Sequence, residues 1–310
     1  MPASSLSPDE IRDFNSRYHD AAAERYDAKW GIDFGATGER QVLMKLKKAL
    51  GRSPDHYPRA LEVGAGTGYF TINLLRSGVI GAATAVDISA GMLKKLAGTA
   101  RELDLEVKTV RCDAERLPFA DASFDLVMGH AVLHHLPHVD VALAEFERVL
   151  APGGSLVFMG EPSRRGDRLA SVPKRIGLFA APAWRRALRL ERRPAGAAHN
   201  GMGHANANGD HGLEHWVDVH VFTPEELRDV ATGAGFTDVR VMGEELLASA
   251  YGWMLRALEA DADPDAIPRP WAHFAYRSYL AFQWLDDKLL EPRLPPGLFY
   301  NLLLSAQKPT

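Results

Sequence analysis

The stretch Leu61-Glu62-Val63-Gly64-Ala65-Gly66-Thr67-Gly68-Tyr69-Phe70 sets three glycines on alternate positions behind a short apolar run. A strand that must turn sharply and bring its backbone against a ligand needs this composition, since glycine enters conformations closed to other residues. The helix that follows then presents free N–H groups at its start. A dinucleotide fold requires G-x-G-x-x-G, with the helix N-terminus facing a pyrophosphate. Here the spacing is G-x-G-x-G, and Tyr69 stands where a third glycine or alanine would fall. The dinucleotide fingerprint is not met.

Outward from this turn, strands and helices alternate. Strands are expected at Arg59–Val63, Ala82–Val86, Glu106–Arg111, Phe124–Met128 and Ser155–Met159, with helical segments between them. Five short apolar runs separated by helices imply a parallel sheet covered on both faces. Ser7-Pro8-Asp9-Glu10 and Thr223-Pro224-Glu225-Glu226 are capping boxes with proline at the first helical position, so a helix starts at each. Thr237–Met242 and Phe299–Gln307 complete the strands, and Glu244 to Leu290 is helical. The expected organisation is an N-terminal helical cap over 1–55, a ligand-binding core over 56–161, a basic and His/Gly-rich lid insertion over 162–221, and completion of the sheet over 222–310 with a helical insertion at 244–296.

In an open parallel sheet, ligands sit beyond the carboxyl ends of the strands, where strand order reverses. The first three strands end on the glycine turn, on Asp87 and on Asp113. A carboxylate at Asp87 can accept two hydrogen bonds from a ribose diol, and one at Asp113 can accept from an exocyclic amine. Each feature alone is as often a turn or a cap; all three on successive strand ends form a much sharper coincidence.

With these residues, the chain resembles the class I S-adenosylmethionine-dependent methyltransferases, in the broad small-molecule branch that includes quinone-biosynthesis enzymes. The motifs run in order: LEVGAGTGYF, AVDIS at 85–89, CDAERLPFADASFDLV at 112–127, HAVLHHL at 130–136 and LAPGGSLVF at 150–158. Ala-Ala-Glu-Arg-Tyr-Asp at 22–27 is similar to the segment that closes over the cofactor in that branch. The resemblance implies a Rossmann-like seven-stranded, mostly parallel sheet with an antiparallel last pair and S-adenosyl-L-methionine as cofactor. It implies that Tyr26 closes the site, that Glu62, Gly64, Ala65, Gly66 and Gly68 cradle the methionine part, and that Asp87 holds the ribose. Ile88 and Met92 would flank the adenine, Asp113 and Ala114 would address its amine, and His130 would contact the methionine amine.

Methyl transfer from a sulfonium needs alignment in a dry site, and a base only where the acceptor must lose a proton. Candidate bases are His134, His135, Glu161, His215 and His220, with His135 and Glu161 the foremost; for the histidine pair, packing or hydrogen bonding is the competing role. His211-x-x-x-His215 would share a helix face, but Asn208-Gly209-Asp210-His211-Gly212 has turn composition, so no metal site is expected. Cys112 reads as a small buried hydrophobe.

The chain has 310 residues, 46% hydrophobic and 25% charged, with net charge −4. These values fit a globular protein and give no general attraction to nucleic acid. Between Arg164 and Arg193 stand ten Lys or Arg against two acidic residues, which leaves the remainder at −12. A basic segment interleaved with Leu169, Ile176, Leu178, Phe179 and Trp184 can meet an anionic membrane or an acidic acceptor; the alternative is a lid with a solvated arginine face. Pro173 and Pro182 are expected to divide it. The N-terminus lacks signal-peptide layout and Cys112 is the only cysteine, so a cytoplasmic protein is expected. The aromatics of 251–284 divide between a core stripe (Trp271, Ala275, Phe282, Leu285, Leu289) and a surplus, with Trp253 and Tyr276, that could line a pocket for an apolar acceptor. A methyltransferase acting on a small apolar or aromatic acceptor is the expectation. The alternatives are a non-catalytic cofactor-binding regulator or partner and, against the glycine spacing, a nicotinamide oxidoreductase.

Overall fold

The computed structural model describes residues 6–192, 219–263 and 266–310. They fall into two compact units, one of Met1–Glu161, Trp216–Met242 and Leu303–Thr310, the other of Pro162–His215 and Gly243–Leu302.

The first unit carries the sheet. Its strands are β1 (Tyr57–Val63), β2 (Ile80–Asp87), β3 (Val107–Arg111), β4 (Phe124–His130), β5 (Leu150–Pro162), β6 (Thr237–Glu244) and β7 (Asn301–Gln307). They lie in the order β3-β2-β1-β4-β5-β7-β6. β1 pairs in parallel with β2 and with β4, β2 with β3, and β4 with β5, while the last strands form the antiparallel edge. Strand order reverses between β1 and β4, so the crevice beyond β1 is where this topology leaves room for a ligand.

The helices of this unit are α1 (Pro8–Ala22), α2 (Tyr26–Trp30), α3 (Ala36–Leu50), α4 (Tyr69–Arg76), α5 (Ala90–Glu102), α6 (Val139–Val149) and, after the inserted unit's first segment, α8 (Pro224–Gly233). Both capping boxes form: Ser7 and Thr223 accept from the N–H three residues on, while Glu10 and Glu226 reach back to the cap N–H. One face of the sheet is sealed by Val42 and Leu46 of α3 and Phe70 and Leu74 of α4, packed on Leu126, Met128, Val157 and Met159. Burial of each such side chain stabilises by about 1.5–3 kcal/mol. Ala65, Ala85 and Leu96 form a smaller cluster directly beneath the glycine turn.

The second unit contains α7 (Arg164–Ala187), α9 (Leu247–Glu259) and α10 (Arg269–Leu285). Contrary to the division expected at the prolines, α7 runs unbroken through Pro173 and Pro182. Each proline removes one backbone hydrogen bond. Packing of Gly177, Ala181 and Trp184 on the unit's other helices offsets that loss. The helical stretch expected from 244 to 290 is divided into α9 and α10. Asp286 ends α10, is fully buried, and caps α9 by accepting from the N–H groups of Leu247 and Ala248. Of the expected core stripe on this segment, Ala275 is buried and Leu289 is exposed.

Candidate active site

Gly64, Gly66 and Gly68 all adopt positive φ, at +61°, +53° and +90°. They do different work. A Cβ on Gly64 would lie 2.4 Å from Val132 Cγ2, and one on Gly68 would lie 2.7 Å from Leu96 Cγ. Gly66 alone would meet nothing within 4 Å. Gly64 and Gly68 are therefore packing glycines, and Gly66 presents bare backbone to open space. Beside it Thr67 is buried with its Oγ1 lacking any hydrogen-bond partner. A buried hydroxyl without a partner is costly unless something else supplies one.

Asp87, at the end of β2, braces this turn. Its Oδ2 accepts from Gly66 N–H at 2.8 Å and its Oδ1 from Ser89 N–H at 2.8 Å. Burial pushes its pKa up, against the opposing pull of those two hydrogen bonds. A carboxylate with one bond on each oxygen keeps lone pairs for further donors. Tyr26 is half-buried, and its hydroxyl is pushed up to about 12 by burial and then by the charges of Asp87 and Asp27. Met92 is fully buried, whereas the Ile88 carbonyl accepts from Arg111 Nε at 2.9 Å.

Asp113 is held from both sides. Its Oδ1 accepts from Glu115 N–H at 3.0 Å, and its Oδ2 lies 2.6 Å from Arg12 Nε of α1. Ala114 beside it is buried. Sequence reading missed Arg12, and with it Ser16 and Asp20, which follow at intervals of four on the same helical face. Ser16 donates to the Ile88 carbonyl at 3.4 Å, and Asp20 accepts from Ser89 Oγ at 2.6 Å and Gly91 N–H at 2.7 Å. This polar stripe latches α1 across the ends of β2 and β3. Partners some 70–100 residues away leave no local signature, although the i, i+4, i+8 spacing was visible.

Glu62 lies inside β1 with its carboxylate buried, accepting from the Thr71 backbone N–H at 2.8 Å and from the Thr71 hydroxyl. It therefore ties the first turn of α4 to the strand. Burial pushes its pKa up to about 8, the Thr71 hydrogen bonds oppose that, and the Asp87 charge adds to it. An unfolded glutamate titrates near 4.3, so the folded protein holds the extra proton from there to about 8. By linkage this contribution to stability is full below the unfolded value and declines as pH rises towards 8. Glu62→Gln, which keeps an acceptor for Thr71, is expected to flatten the fall in Tm between about pH 5 and 8. Thermal scans across that range check this, and parallel curves for the two proteins would contradict it.

Beyond β4 the chain forms a tight turn at Leu133–His135. Glu161, fully buried at the end of β5, accepts from the N–H groups of Val132, Leu133 and His134, at 2.9, 3.0 and 3.1 Å, and from His134 Nδ1 at 2.7 Å. Burial pushes its pKa up, but His134 and the backbone donors outweigh burial and hold it below the ordinary carboxylate range. Both oxygens are committed to the turn. The His134 carbonyl in turn accepts from the N–H groups of Val219 and His220. His135 is half-buried, its ring 3.9 Å from that of His134 and 5.6 Å from that of His19 on α1. His220 stacks on Phe222, and its Nε2 is buried without a hydrogen-bond partner. His130 stacks on Phe70 at 5.0 Å.

His199, His204, His211 and His215 lie outside the described residues, as does the stretch 199–213. Among the described residues no group of three or more His, Cys, Asp or Glu could hold a metal ion. Burial, with the charges of Asp113 and Asp87, pushes the Cys112 thiol up to about 12, so it stays protonated at neutral pH. In the second unit, Trp253 is covered by Lys174 Nζ at 3.9 Å and by Arg256 at 5.0 Å. Tyr276 is exposed. Neither lines that unit's apolar groove of about 330 Å³, which is formed by Tyr251, Leu255, Leu258, Trp271, Phe274 and Phe282 among others.

Residues 61–158 match the family model described as a methyltransferase domain. A demethylmenaquinone methyltransferase of Mycolicibacterium paratuberculosis is 35% identical over 177 residues, covering 57% of this chain and 72% of that protein. The chain belongs to the methyltransferase family. A malonyl-acyl-carrier-protein O-methyltransferase of Halorhodospira halophila is 37% identical over 142 residues, so the chain spans about half the length of that relative, 46%. Among solved structures, phosphoethanolamine N-methyltransferase 2 of Haemonchus contortus shares the fold with a TM-score of 0.59 at 18% identity, covering 100% of this chain and 62% of that one. The cyclase SpnF does so at 0.56 and 19%, covering 95% and 96%. These two likenesses concern fold alone, and a fold hosts many chemistries.

As a class I methyltransferase, the chain has S-adenosylmethionine as its cofactor. The site suits that group. Gly66 offers bare backbone, Thr67 an unsatisfied hydroxyl, and Asp87 spare lone pairs, all at the reversal of strand order. Among the described residues no helix is long and apolar enough to cross a membrane.

Proposed function

We propose that this chain transfers the methyl group of S-adenosylmethionine to a small organic acceptor of apolar or aromatic character. The observation that carries the reading is the Gly66–Asp87 pair, a backbone face left bare and braced by a buried carboxylate at the strand-order reversal. Similarity to quinone and malonyl-carrier methyltransferases supports a small or carrier-borne acceptor over a nucleic acid.

When bound, the cofactor supplies an activated methyl on a sulfonium, so the protein's part is alignment, dryness and proton management. In this reading Asp87 accepts from the ribose diol, Asp113 and Ala114 meet the adenine amine, and the Gly64–Gly68 turn holds the methionine part with His130 beside it. Tyr26 and the latch of Arg12, Ser16 and Asp20 hold the N-terminal helices over these groups and exclude water. Glu161 acts as a positioning residue, fixing the 132–134 backbone and His134. His135, half-buried and facing His19, is the base where the acceptor carries a proton.

The test is calorimetry with S-adenosylhomocysteine and with NAD, followed by a screen of phenolic, quinone-like and carrier-bound acceptors for turnover. Binding of the first ligand and turnover of an acceptor are expected. Binding without turnover of any acceptor would favour a non-catalytic cofactor-binding protein, and NAD binding alone would overturn the reading. His135→Ala should lower kcat by about 10²–10⁴-fold on an acceptor that loses a proton, with cofactor affinity unchanged.

A further inference from the structure

α7 is amphipathic twice over. One face carries Gly166, Ala170, Gly177, Ala181 and Trp184, all buried. A second face, roughly 120° round the helix, carries Leu169, Val172, Ile176, Phe179 and Ala183, spaced i, i+3, i+7, i+10 and i+14, all exposed. Phe179 is 90% exposed, and Val172 and Ile176 are 55% and 53% exposed. Single exposed apolar residues are ordinary, but a continuous ridge of them over four turns is not.

The helix is not free to turn this ridge inward. A Cβ on Gly177 would stand 2.3 Å from the Met254 carbonyl of α9, and one on Gly166 would stand 2.3 Å from the Phe299 carbonyl. Backbone-close packing at two points eleven residues apart fixes the rotation of α7 within its unit. The ridge therefore faces outward by construction.

Its border has one sign of charge. α7 holds seven Lys or Arg and a single acidic residue, Asp167, in its first turn. Lys174 lies over the Trp253 ring, and Arg185 pairs with Asp261 at 3.6 Å. Arg165, Arg168, Arg175 and Arg186 are exposed and make no ion pair among the described residues. On a helical wheel Arg168, Arg175 and Arg186 fall along one edge of the ridge, and Arg165 lies within it near its N-terminal end. Apolar side chains that reach outward between guanidinium groups complement the phosphate and acyl layers of an anionic bilayer.

We propose that α7 is a membrane-surface helix, seating this protein on anionic lipid through the Leu169–Phe179 ridge with Arg168, Arg175 and Arg186 at the headgroups. The occupant is a bilayer surface. A second copy of the chain would need a complementary anionic border, and α7 offers none. Binding does not depend on methyl transfer, so this inference stands or falls apart from the proposed activity.

Co-sedimentation of the full chain with phosphatidylcholine vesicles, with and without phosphatidylglycerol, tests it. Binding is expected only with the anionic lipid, and it weakens as salt rises. Arg168→Gln with Arg175→Gln should weaken it about 30-fold, from the contribution of each basic residue near an anionic surface. Phe179→Glu should weaken it more than about tenfold. Since Phe179 is exposed, that variant should keep the wild-type circular dichroism and its affinity for S-adenosylhomocysteine. Failure of the wild type to sediment, or equal sedimentation by the variants, would overturn the proposal. So would a dimer in light scattering that Phe179→Glu dissolves, which would give the ridge to a second copy.

Discussion

Gly66→Val should weaken S-adenosylhomocysteine binding more than about 100-fold, roughly 2.7 kcal/mol, while the protein stays folded. A Cβ at this position meets no protein atom within 4 Å, so the added side chain starts into the open space beside the residue that Asp87 braces. A β-branched residue at φ +53° carries backbone strain of about 1–3 kcal/mol, a cost to stability that is real but survivable. Gly64→Val is the control with the opposite signature. Its Cβ would sit 2.4 Å from Val132, inside packed core at the same unfavourable sign of φ, so clash adds to strain. Thermal scans and calorimetry on the pair should show Gly66→Val with a Tm lowered only by its strain and with lost affinity, and Gly64→Val with a clearly larger fall in Tm, since clash adds to the same strain. Equal loss of Tm in both would mean that the three glycines are merely a tight turn. Normal affinity in Gly66→Val would remove the turn from the cofactor site.

The difference between these glycines marks how far the sequence could be read. Alternation of apolar runs with helical segments gave the sheet, and the glycine turn with Asp87 and Asp113 marked the strand ends where the cofactor site is proposed. Both signals are local, and each comes from residue types that few other conformations need. The sequence did not separate Gly66 from Gly64 and Gly68, because Val132 and Leu96, which crowd the outer two, come from other elements. The latch of Arg12, Ser16 and Asp20 was hidden for the same reason, as its value lies in what stands opposite. The continuity of α7 through Pro173 and Pro182 went against local propensity, because the face that packs on α9 is read only once the second unit is assembled. Thr67 carried a signal that went unused, since a hydroxyl inside a glycine turn must find a partner or a ligand.

Glu161 illustrates the same limit from the side of chemistry, and it yields the second large expected effect. A glutamate just past a strand beside two histidines reads as a base, yet every hydrogen bond it makes in the fold is one it accepts. Four donors converge on it, two per oxygen: Val132 and Leu133 N–H on Oε1, His134 N–H and Nδ1 on Oε2. Only a carboxylate accepts at both oxygens. In Glu161→Gln the amide NH₂ replaces one of them and faces at least one backbone N–H whichever way it is turned, Val132 and Leu133 on one side or His134 on the other. The isosteric change should therefore cost nearly as much as Glu161→Ala, about 3–5 kcal/mol, seen as a fall in Tm of roughly 5–15 °C. The pH dependence has a definite sign. The folded pKa is held below the unfolded one, so this stabilisation is present above the ordinary carboxylate range and is lost as pH falls below it. The Tm gap between wild type and Glu161→Gln should therefore close in acid and stay constant through neutral pH. His135→Ala supplies the contrast, since it should spare Tm and strike turnover. If Glu161→Gln instead keeps a wild-type Tm and loses only kcat, Glu161 is a catalytic base and its positioning role falls.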